Sequence, residues 1–347
     1  MHSTPTKRTE SGNLTGILAG VAISAAILVF LALQIEWSVF LAQFGRLQIT
    51  YIPLLIALFY ITFWIRGVRW RYLLPSNLEV STKELYDVTL VGFFASCVLP
   101  LRAGELVRPW VLSLRQPVRF PVGLSSVVTE RVFDVLTILA LLALALPDAG
   151  EAHQLVTVGA KALAVLAAGI LAVMLAAYFC AERLLGFARK VLSIVLRGKH
   201  DQLQEKLLYI ADDVVAGLRA VSSVRELLLV LFWSLALWLT IAALYQVGLW
   251  TFGEFPPFSV GVSVTVLIAL AVAAPSAPGF LGTFQVGCTA ALSWMFGYPE
   301  EFALAYSVVL HAYQLLLMLL SGALILRRFG FSLRSLRARS AEAEAQA

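Results

Sequence analysis

Charged residues are scarce in this chain of 347 residues: Asp, Glu, Lys and Arg make up 14% of it, whereas hydrophobic residues make up 60%. A soluble domain of ordinary composition carries about 25% charged residues, so this composition excludes that class. Apolar runs of about 20 residues, the length that spans a bilayer as helix, recur from Leu14 to Leu326. The strand alternation of an outer-membrane barrel is also missing, because runs such as ILVFLAL are apolar on every face. The sequence therefore predicts an all-α polytopic membrane protein.

Signals for metals, disulfides, nucleotides and nucleic acids are equally sparse. The three cysteines, Cys97, Cys180 and Cys288, form no CxxC pair, and the four histidines are scattered, so we expect neither a disulfide framework nor a metal or cofactor site. A GxxxxGK[ST] loop is missing, so energy for transport would have to come from a gradient, from metabolic pull or from a partner. The net charge of +5 lies in short flanks between apolar runs, which favours membrane topology over nucleic-acid binding.

The apolar runs predict one integral membrane domain over residues 14–326, between a polar tail at 1–13 and a basic, then Ala/Glu-rich tail at 327–347. Six runs are long enough for full spans, at 14–33, 47–65, 122–146, 155–179, 227–250 and 302–326. Residues 181–226 mix Lys and Arg with leucines at helical spacing, which predicts an amphipathic segment on the membrane surface.

The distribution of Lys and Arg predicts the sidedness, because basic flanks stay in the cytoplasm. Both termini and the basic stretches at 66–83, 115–119 and 181–226 are expected on the cytoplasmic side of a bacterial inner membrane. The loops at Asp148, Glu254 and Glu300 lack Lys and Arg and are expected outside.

Two apolar stretches, residues 88–112 and 260–296, are interrupted by proline and glycine. The breaks are Pro100 and Gly104 in the first stretch and Pro275, Pro278, Gly279 and Gly282 in the second. The sidedness requires each stretch to return to its own side, the first from the cytoplasm and the second from outside, as re-entrant hairpins. Twelve residues before Pro100 rise about 18 Å, short of the hydrocarbon core, whereas the second stretch is long enough for its arms nearly to cross. Broken backbone at membrane depth must be buried in protein or line a cavity, so both breaks are expected to point inward.

The two halves of the chain carry polar residues in a similar order. The first half has Pro100, Gly104, Glu105, Arg131 and Asp134, and the second has Pro278, Gly282, Gln285, His311 and Gln314, at nearly the same spacing. With opposite sides of insertion, this order is typical of the inverted repeat of secondary transporters, although two proline-broken segments can also resemble each other by coincidence.

A set of charged residues stands out against the apolar background: Arg102, Glu105, Arg108, Glu130, Arg131 and Asp134. Their spacing by three and four places them near common helix faces, and their charges sum to zero. One interpretation is structural, in which they pin the first hairpin to the next helix. The other is that an arginine receives an anionic head group, since guanidinium suits bidentate phosphate binding. His311 is either a hydrogen-bonded packing residue or a proton relay.

These residues also carry a family resemblance. LPLRAGELVRPWVL, VVTERVFDVLTILALL, PSAPGFLGTFQ and ALAYSVVLHAYQ resemble the lysylphosphatidylglycerol synthase transmembrane-region family, also called flippase-like domain proteins. In that family the membrane domain of the multiple peptide resistance factor translocates aminoacylated phosphatidylglycerol, and other relatives handle hopanoids or polyprenol-linked glycolipids. The residues that match by position are Arg102, Gly104, Glu105, Arg108, Glu130, Arg131 and Asp134 in the first half, and Pro278, Gly279 and Gly282 in the second.

The resemblance has limits that shape the functional prediction. Gln285 and His311 stand where the best-known members have an acid and an arginine, which argues against carrying over the same cationic lipid. The aminoacyl-transferring domain is absent from the chain, so the resemblance implies no synthase activity.

We therefore predict a lipid translocase whose substrate is a membrane lipid: a phospholipid, a hopanoid or a polyprenol-linked lipid. The alternatives are a scaffold that recruits a lipid-modifying enzyme through residues 181–226, or an enzyme that acts on a lipid or polyprenyl phosphate. The oligomeric state stays open.

Overall fold

The computed structural model describes residues 22, 24–26, 28–33, 35–99, 104–145, 223–274 and 277–331, and the regular secondary structure among them is helical. Several predictions lie outside these residues: the tail at 1–13, the span at 155–179, nearly all of the amphipathic segment at 181–226, most of the tail at 327–347, and Pro100, Arg102 and Pro275.

The described helices fall into two groups along the chain, before and after residues 146–222. They are α1 (Ser24–Leu33), α2 (Trp37–Gln43), α3 (Ile52–Tyr72), α4 (Thr82–Val98), α5 (Gly104–Arg115), α6 (Phe120–Ala145), α7 (Val224–Trp250), α8 (Phe258–Ala273), α9 (Thr283–Thr289) and α10 (Glu300–Arg328). Single 3₁₀ turns lie at Phe44–Arg46, Ile49–Tyr51 and Pro278–Phe280, and a π-helical turn lies at Ala290–Met295.

Three helical segments are long and apolar enough to cross a membrane: Ile49–Tyr72, α7 and α10. A further candidate is the pair Ser24–Leu33 and Trp37–Arg46, which is bent by 101° between its two parts. Helix α6 has 26 residues but carries Glu130, Arg131 and Asp134 in its middle. The described residues thus hold three clear spans, fewer than the six predicted, since α6 is charged, the first run is bent and the run at 155–179 is outside them.

Helix ends are fixed by local chemistry. The Ser81 hydroxyl accepts a hydrogen bond from the Glu84 backbone at the start of α4, and Ser223 and Glu226 form a reciprocal capping box at the start of α7. Helix α10 begins with Glu300 and Glu301 and ends with two arginines, charges that favour the helix dipole at both ends.

The first hairpin consists of α4 and α5, residues 82–115, which run antiparallel. Gly104 lies against the Gly92 carbonyl and Ser96, so a Cβ at this position would overlap α4. At the other end of the pair, Arg115 is bound to Glu84. The predicted stretch at 88–112 is therefore a helical hairpin, longer at both ends than predicted.

The second hairpin consists of α8, the 3₁₀ turn, α9 and the π-helical turn, residues 258–295, close to the predicted 260–296. Gly287 of α9 packs directly on the backbone of Ile268 in α8. Gly279 and Gly282 have φ of 73° and 84°, a left-handed region that only glycine adopts cheaply, so they allow the chain to reverse between the arms.

Helix α10 contacts both hairpins along its length. The second hairpin ends at Met295, just before α10 begins, and its turn reaches His311 in the middle of α10. The outer end of the first hairpin packs at the opposite end of α10, where the Arg115 guanidinium lies 3.7 Å from the Phe329 ring centroid. The hairpin tips meet between these points, with the Cys97 carbonyl beside Gly279.

Apolar side chains also face outward, in rows at helical spacing. Exposed residues include Leu228, Phe232 and Leu235 on α7, and Leu316, Leu320 and Leu324 on α10. Since soluble proteins rarely expose continuous apolar faces of this kind, these rows are the lipid-facing surfaces of an integral membrane protein.

Candidate functional site

A cavity of about 440 Å³ lies where the two hairpin tips meet. One wall is charged and comes from α3, α5 and α6, with Arg66, Glu105, Arg108, Arg131 and Asp134. Another wall is apolar and comes from α8, the second hairpin's turn and α9, with Ala269, Val272, Ala273, Phe280 and Phe284. We call this space the central cavity.

Glu130 is the centre of the charged wall, and its side chain is fully buried. Its Oε1 atom lies 2.6 Å from Arg131 Nη2, 3.1 Å from Arg69 Nη2, 3.2 Å from Arg108 Nη1 and 3.8 Å from Arg66 Nη1. Arg108 also donates from Nη2 to Glu130 Oε2 at 3.0 Å, which makes this pair bidentate. Four arginines therefore converge on one carboxylate, and we call them the arginine cluster.

Asp134 is the second buried carboxylate, one helical turn after Glu130. Its Oδ1 accepts from Arg69 Nη1 at 2.6 Å and from Trp238 Nε1 at 3.0 Å, and its Oδ2 lies 3.1 Å from Arg131 Nη2. Ser234 of α7 accepts a further bond from Arg69 at 3.2 Å. These contacts tie α3, α6 and α7 together behind the cavity.

Two arginines of the cluster also lie over aromatic rings. The guanidinium carbon of Arg108 is 4.2 Å from the Trp70 ring centroid, and that of Arg66 is 4.9 Å from the Phe93 centroid. Trp70 is itself fixed, because its indole nitrogen donates to Ser126 of α6 at 2.8 Å. Stacking of this kind stabilises a cation removed from water and sets the plane of its donors.

Hydrogen-bond donors outnumber acceptors on the cavity's charged wall. Within the part of the chain that the structure describes, the buried atoms of this wall without a hydrogen-bond partner are the donors Arg66 Nε and Nη1, Arg108 Nε and Arg131 Nε, and one acceptor, Asp134 Oδ2. Gln314 Nε2 of α10, also in the lining, is a further donor without a partner. The Arg66 side chain is only 9% exposed, so water in bulk does not satisfy it. Buried donors without acceptors are costly, which makes this wall complementary to an anion.

His311 and Gln285 form a different arrangement, in which each polar atom has a partner. His311 Nε2 donates to the Gly279 carbonyl at 2.7 Å, and its Nδ1 accepts from Gln285 Nε2 at 3.2 Å. Gln285 Oε1 in turn accepts from the Gly282 backbone at 2.8 Å, and Phe284 stacks on the imidazole at 4.4 Å. Together they hold the backbone of the second hairpin's turn.

The predicted site residues thus fall into three groups. Those that line the central cavity are Gly104, Glu105, Arg108, Arg131, Asp134, His311 and Gln314. Glu130 and Gln285 lie behind the lining, and Pro278, Gly279 and Gly282 form the second turn. Pro100, Arg102 and Pro275 lie outside the described residues.

The prediction for Arg66 and Arg69 was wrong: they were assigned to a cytoplasmic basic flank, but both are buried, Arg66 in the cavity lining and Arg69 behind it. Helix α3 continues to Tyr72, about two turns beyond the predicted span end, and it carries Arg69 against α6 and α7 and Arg66 against α6. Their spacing by three, among Val68 and Trp70, was the available signal, because a surface flank has no need of apolar residues at those positions. Trp238 and Ser234 gave no signal in an apolar helix.

The described ranges of the chain contain no group of three or more His, Cys, Asp or Glu side chains that could hold a metal ion. The two carboxylates of the wall are surrounded by arginines instead.

Comparison with known proteins agrees with the resemblance seen in the motifs. The chain is 26% identical over 324 residues to a protein named glycosyltransferase AglD from Haloferax volcanii. The match covers 85% of this chain and 51% of that relative, so the chain spans about half of the relative's length. No solved structure matches the chain. The sequence profile of the family described as lysylphosphatidylglycerol synthase TM region matches residues 17–322. The chain therefore belongs to the lysylphosphatidylglycerol synthase transmembrane-region family.

Proposed function

We propose that the protein translocates a lipid with a polar or anionic head group across the membrane, with the head group in the central cavity. The observation that carries the proposal is the division of the cavity into an arginine wall and an apolar wall. The arginine wall can bind a polar or anionic head group, and the apolar wall can pack against the adjoining part of an acyl or prenyl chain. Buried charge of this density in a membrane protein is retained where it lines a substrate path.

The arrangement of the hairpins supports alternating access. Their outer ends lie toward opposite ends of α10 and their tips meet at the cavity, as expected if one hairpin enters from each side of the membrane as an inverted repeat. Rocking of one hairpin against the other would then open the cavity to one leaflet at a time. We include in this proposal that the chain crosses the membrane six times and that both hairpins are re-entrant.

The distribution of surface charge supports the proposed orientation. Arg71, Lys83, Arg115 and Arg328 lie at the end of the helices that includes the first hairpin's outer end. Glu36, Glu254, Glu300 and Glu301 lie at the other end, where the Glu36 backbone donates to Glu301. By the positive-inside rule the first end is cytoplasmic, which would place both termini inside an inner membrane.

The experiment is reconstitution of the purified protein in liposomes, followed by a head-group accessibility assay with fluorescent phosphatidylglycerol, phosphatidylcholine and a polyprenyl phosphate. We expect transbilayer movement of a phosphate-bearing lipid, lost in Arg131→Ala and in Glu105→Ala. Arg328→Gln is the control, since it removes an exposed arginine far from the cavity. If folded protein moves none of the lipids, the proposal fails.

Glycosyl transfer to a lipid-linked acceptor is a second candidate, favoured by the name of the archaeal relative. It requires a carboxylate or hydroxyl free to act as a base at the cavity, and Glu105, half-buried in the lining, is the candidate group. Incubation with nucleotide sugars and a polyprenyl phosphate, with product detection by mass spectrometry, tests it. A glycolipid product that disappears in Glu105→Gln would favour this function over translocation.

A further inference from the structure

Arg66 differs from the other members of the arginine cluster in having no close contact with a carboxylate, although all four have at least one nitrogen without a hydrogen-bond partner. Arg69 and Arg108 each make close bonds to a buried carboxylate, at 2.6 Å and 3.0 Å. The nearest carboxylate oxygen to Arg66 Nη1 is 3.8 Å away and is already shared by three other arginines. Its Nε and Nη1 atoms have no hydrogen-bond partner among the described side chains.

The placement of Arg66 does not suit a purely structural residue. Its guanidinium lines the central cavity and is held over Phe93, so its position is set by an aromatic ring and not by an ion pair. A buried cation without its own acceptor is destabilising, and folded proteins rarely keep one unless a ligand supplies the acceptor.

Arg131 provides a second set of donors to the same cavity. Its side chain is 39% exposed, its Nη2 contacts both buried carboxylates, and its Nε has no partner in the described part of the chain. Arg66 and Arg131 both approach Glu130 Oε1 and both line the cavity. A tetrahedral oxyanion offers several acceptors to two such forks at once.

The charge of the wall favours an anionic occupant. Among the described residues in and behind the lining, four arginines stand against the three carboxylates of Glu105, Glu130 and Asp134.

We propose that Arg66, with Arg131, recognises a phosphate ester oxyanion, and that this phosphate belongs to the lipid head group. The inference rests on the proposed function for the identity of the cavity's occupant. Arg66 lies outside the motifs that carry the family resemblance, so the assignment comes from its contacts alone. Its role is to bind the phosphate, whereas Arg69 and Arg108 hold the carboxylates in place.

Calorimetric titration of the full-length protein in detergent tests this role. The probes are dihexanoylphosphatidylglycerol, dihexanoylglycerol, which lacks the phosphate, and inorganic phosphate. We expect the phospholipid to bind tightest, and Arg66→Gln to weaken it about 10- to 100-fold, the usual effect of losing hydrogen bonds to a charged group. Arg71→Gln, five residues later on α3 and outside the cavity lining, is the matched control and should keep wild-type affinity.

Two further measurements separate binding from folding. If Arg66 binds ligand, the unfolding temperature of Arg66→Gln without ligand should equal or exceed that of the wild type, because a poorly compensated buried cation has been removed. Arg66→Lys, which keeps the charge but loses the fork, should bind the phospholipid with intermediate affinity. Wild-type affinity in Arg66→Gln or in Arg66→Lys, or a lower unfolding temperature in Arg66→Gln, would overturn the assignment.

The probes also decide the source of the phosphate. Inorganic phosphate bound as tightly as the phospholipid would overturn the lipid part of the inference, and dihexanoylglycerol bound as tightly would overturn the phosphate part. Phosphatidylglycerol binding that depends on Arg66, without transbilayer movement in liposomes, would keep this inference and reject translocation. Transbilayer movement of lipid that survives Arg66→Gln would reject this inference and keep translocation.

Discussion

The two hairpins reach the central cavity with opposite chemistry. The first brings Arg108 and Glu105 to a charged wall in which donors exceed acceptors, whereas the second brings Gln285 toward His311 in a neutral network that is complete. A network in which every polar atom has a hydrogen-bond partner stabilises the backbone that it binds. A network with unpartnered donors can still form hydrogen bonds to a ligand. The comparison distinguishes residues that stabilise the walls of the cavity from residues that would contact a bound lipid. Substitutions can test this distinction, because the first group should affect stability and the second should affect lipid binding or movement.

The largest loss of stability is expected for Glu130→Gln in the first half. This change leaves four arginines around a neutral amide, and breaking a buried ion pair by removing one partner costs about 3 to 5 kcal/mol. Thermal unfolding in detergent, followed by intrinsic tryptophan fluorescence, measures the effect. Glu84→Gln, which removes a partly exposed carboxylate at the outer end of the same hairpin, is the control and should cost far less. An equal loss in both variants would contradict the central role of Glu130.

A smaller loss is expected for Gly282→Ala in the second half. Gly282 has φ of 84°, and a Cβ in that conformation costs about 1 to 3 kcal/mol. The unfolding temperature should fall, while the affinity for a phosphate-bearing lipid should change little in the protein that remains folded. Gly45→Ala serves as the comparison, because nothing lies within 4 Å of its added Cβ and its φ is ordinary. Unchanged stability in Gly282→Ala would show that the turn adapts.

His311→Ala should cost a similar or slightly smaller amount, about 1 to 3 kcal/mol, because it leaves the Gly279 carbonyl and the Gln285 amide without a partner. His311→Gln, which can still donate to that carbonyl, should recover part of the loss. Chemical denaturation of both variants gives the difference. If the two variants unfold alike yet both abolish lipid movement, His311 acts on the substrate or on protons instead of on the turn.

Arg131→Gln should have the smallest effect on stability and a large effect on transport. Its side chain is 39% exposed, and Glu130 and Asp134 keep close contacts with Arg69 and Arg108 when Arg131 is removed. The loss of stability should therefore be smaller than that of Glu130→Gln. Lipid movement in liposomes should be lost at an unfolding temperature near that of the wild type. Retained transport, or a stability loss as large as that of Glu130→Gln, would place Arg131 with the structural arginines.

The two hairpins could be predicted from the sequence because their signals are local. Proline and glycine interrupt the helix at the positions where they occur, so the breaks inside the apolar runs predicted the bounds of both hairpins to within six residues at each end. The three-residue and four-residue spacings of Glu130, Arg131 and Asp134 also placed these side chains together correctly. The resemblance in the motifs was confirmed by the family profile.

Other features of the site depend on packing between distant segments. Arg66 and Arg69 end an apolar run, where basic residues are usually topological flanks, and only the contacts of α3 with α6 and α7 bury them. The six charged residues named from the sequence did not include these two arginines, which add two positive charges to the described site. Whether His311 and Gln285 face ligand or backbone is likewise decided by the turn that they bind. His311 bonds to the Gly279 carbonyl, 32 residues earlier in the chain, and Gln285 accepts from the Gly282 backbone, 3 residues earlier.

Helix α10 has 29 residues and is about 43 Å long, and it carries the second turn at its middle and the first hairpin at its far end. A tilt or axial shift of this one helix therefore changes the support of both tips in the same instant. If the protein translocates lipid as proposed, this shared helix would couple the two sides of the cavity, so that one closes as the other opens. A pair of glycines placed between His311 and Gly322 should make the helix more flexible and weaken that coupling, and leak across the membrane in reconstituted liposomes would be the expected result.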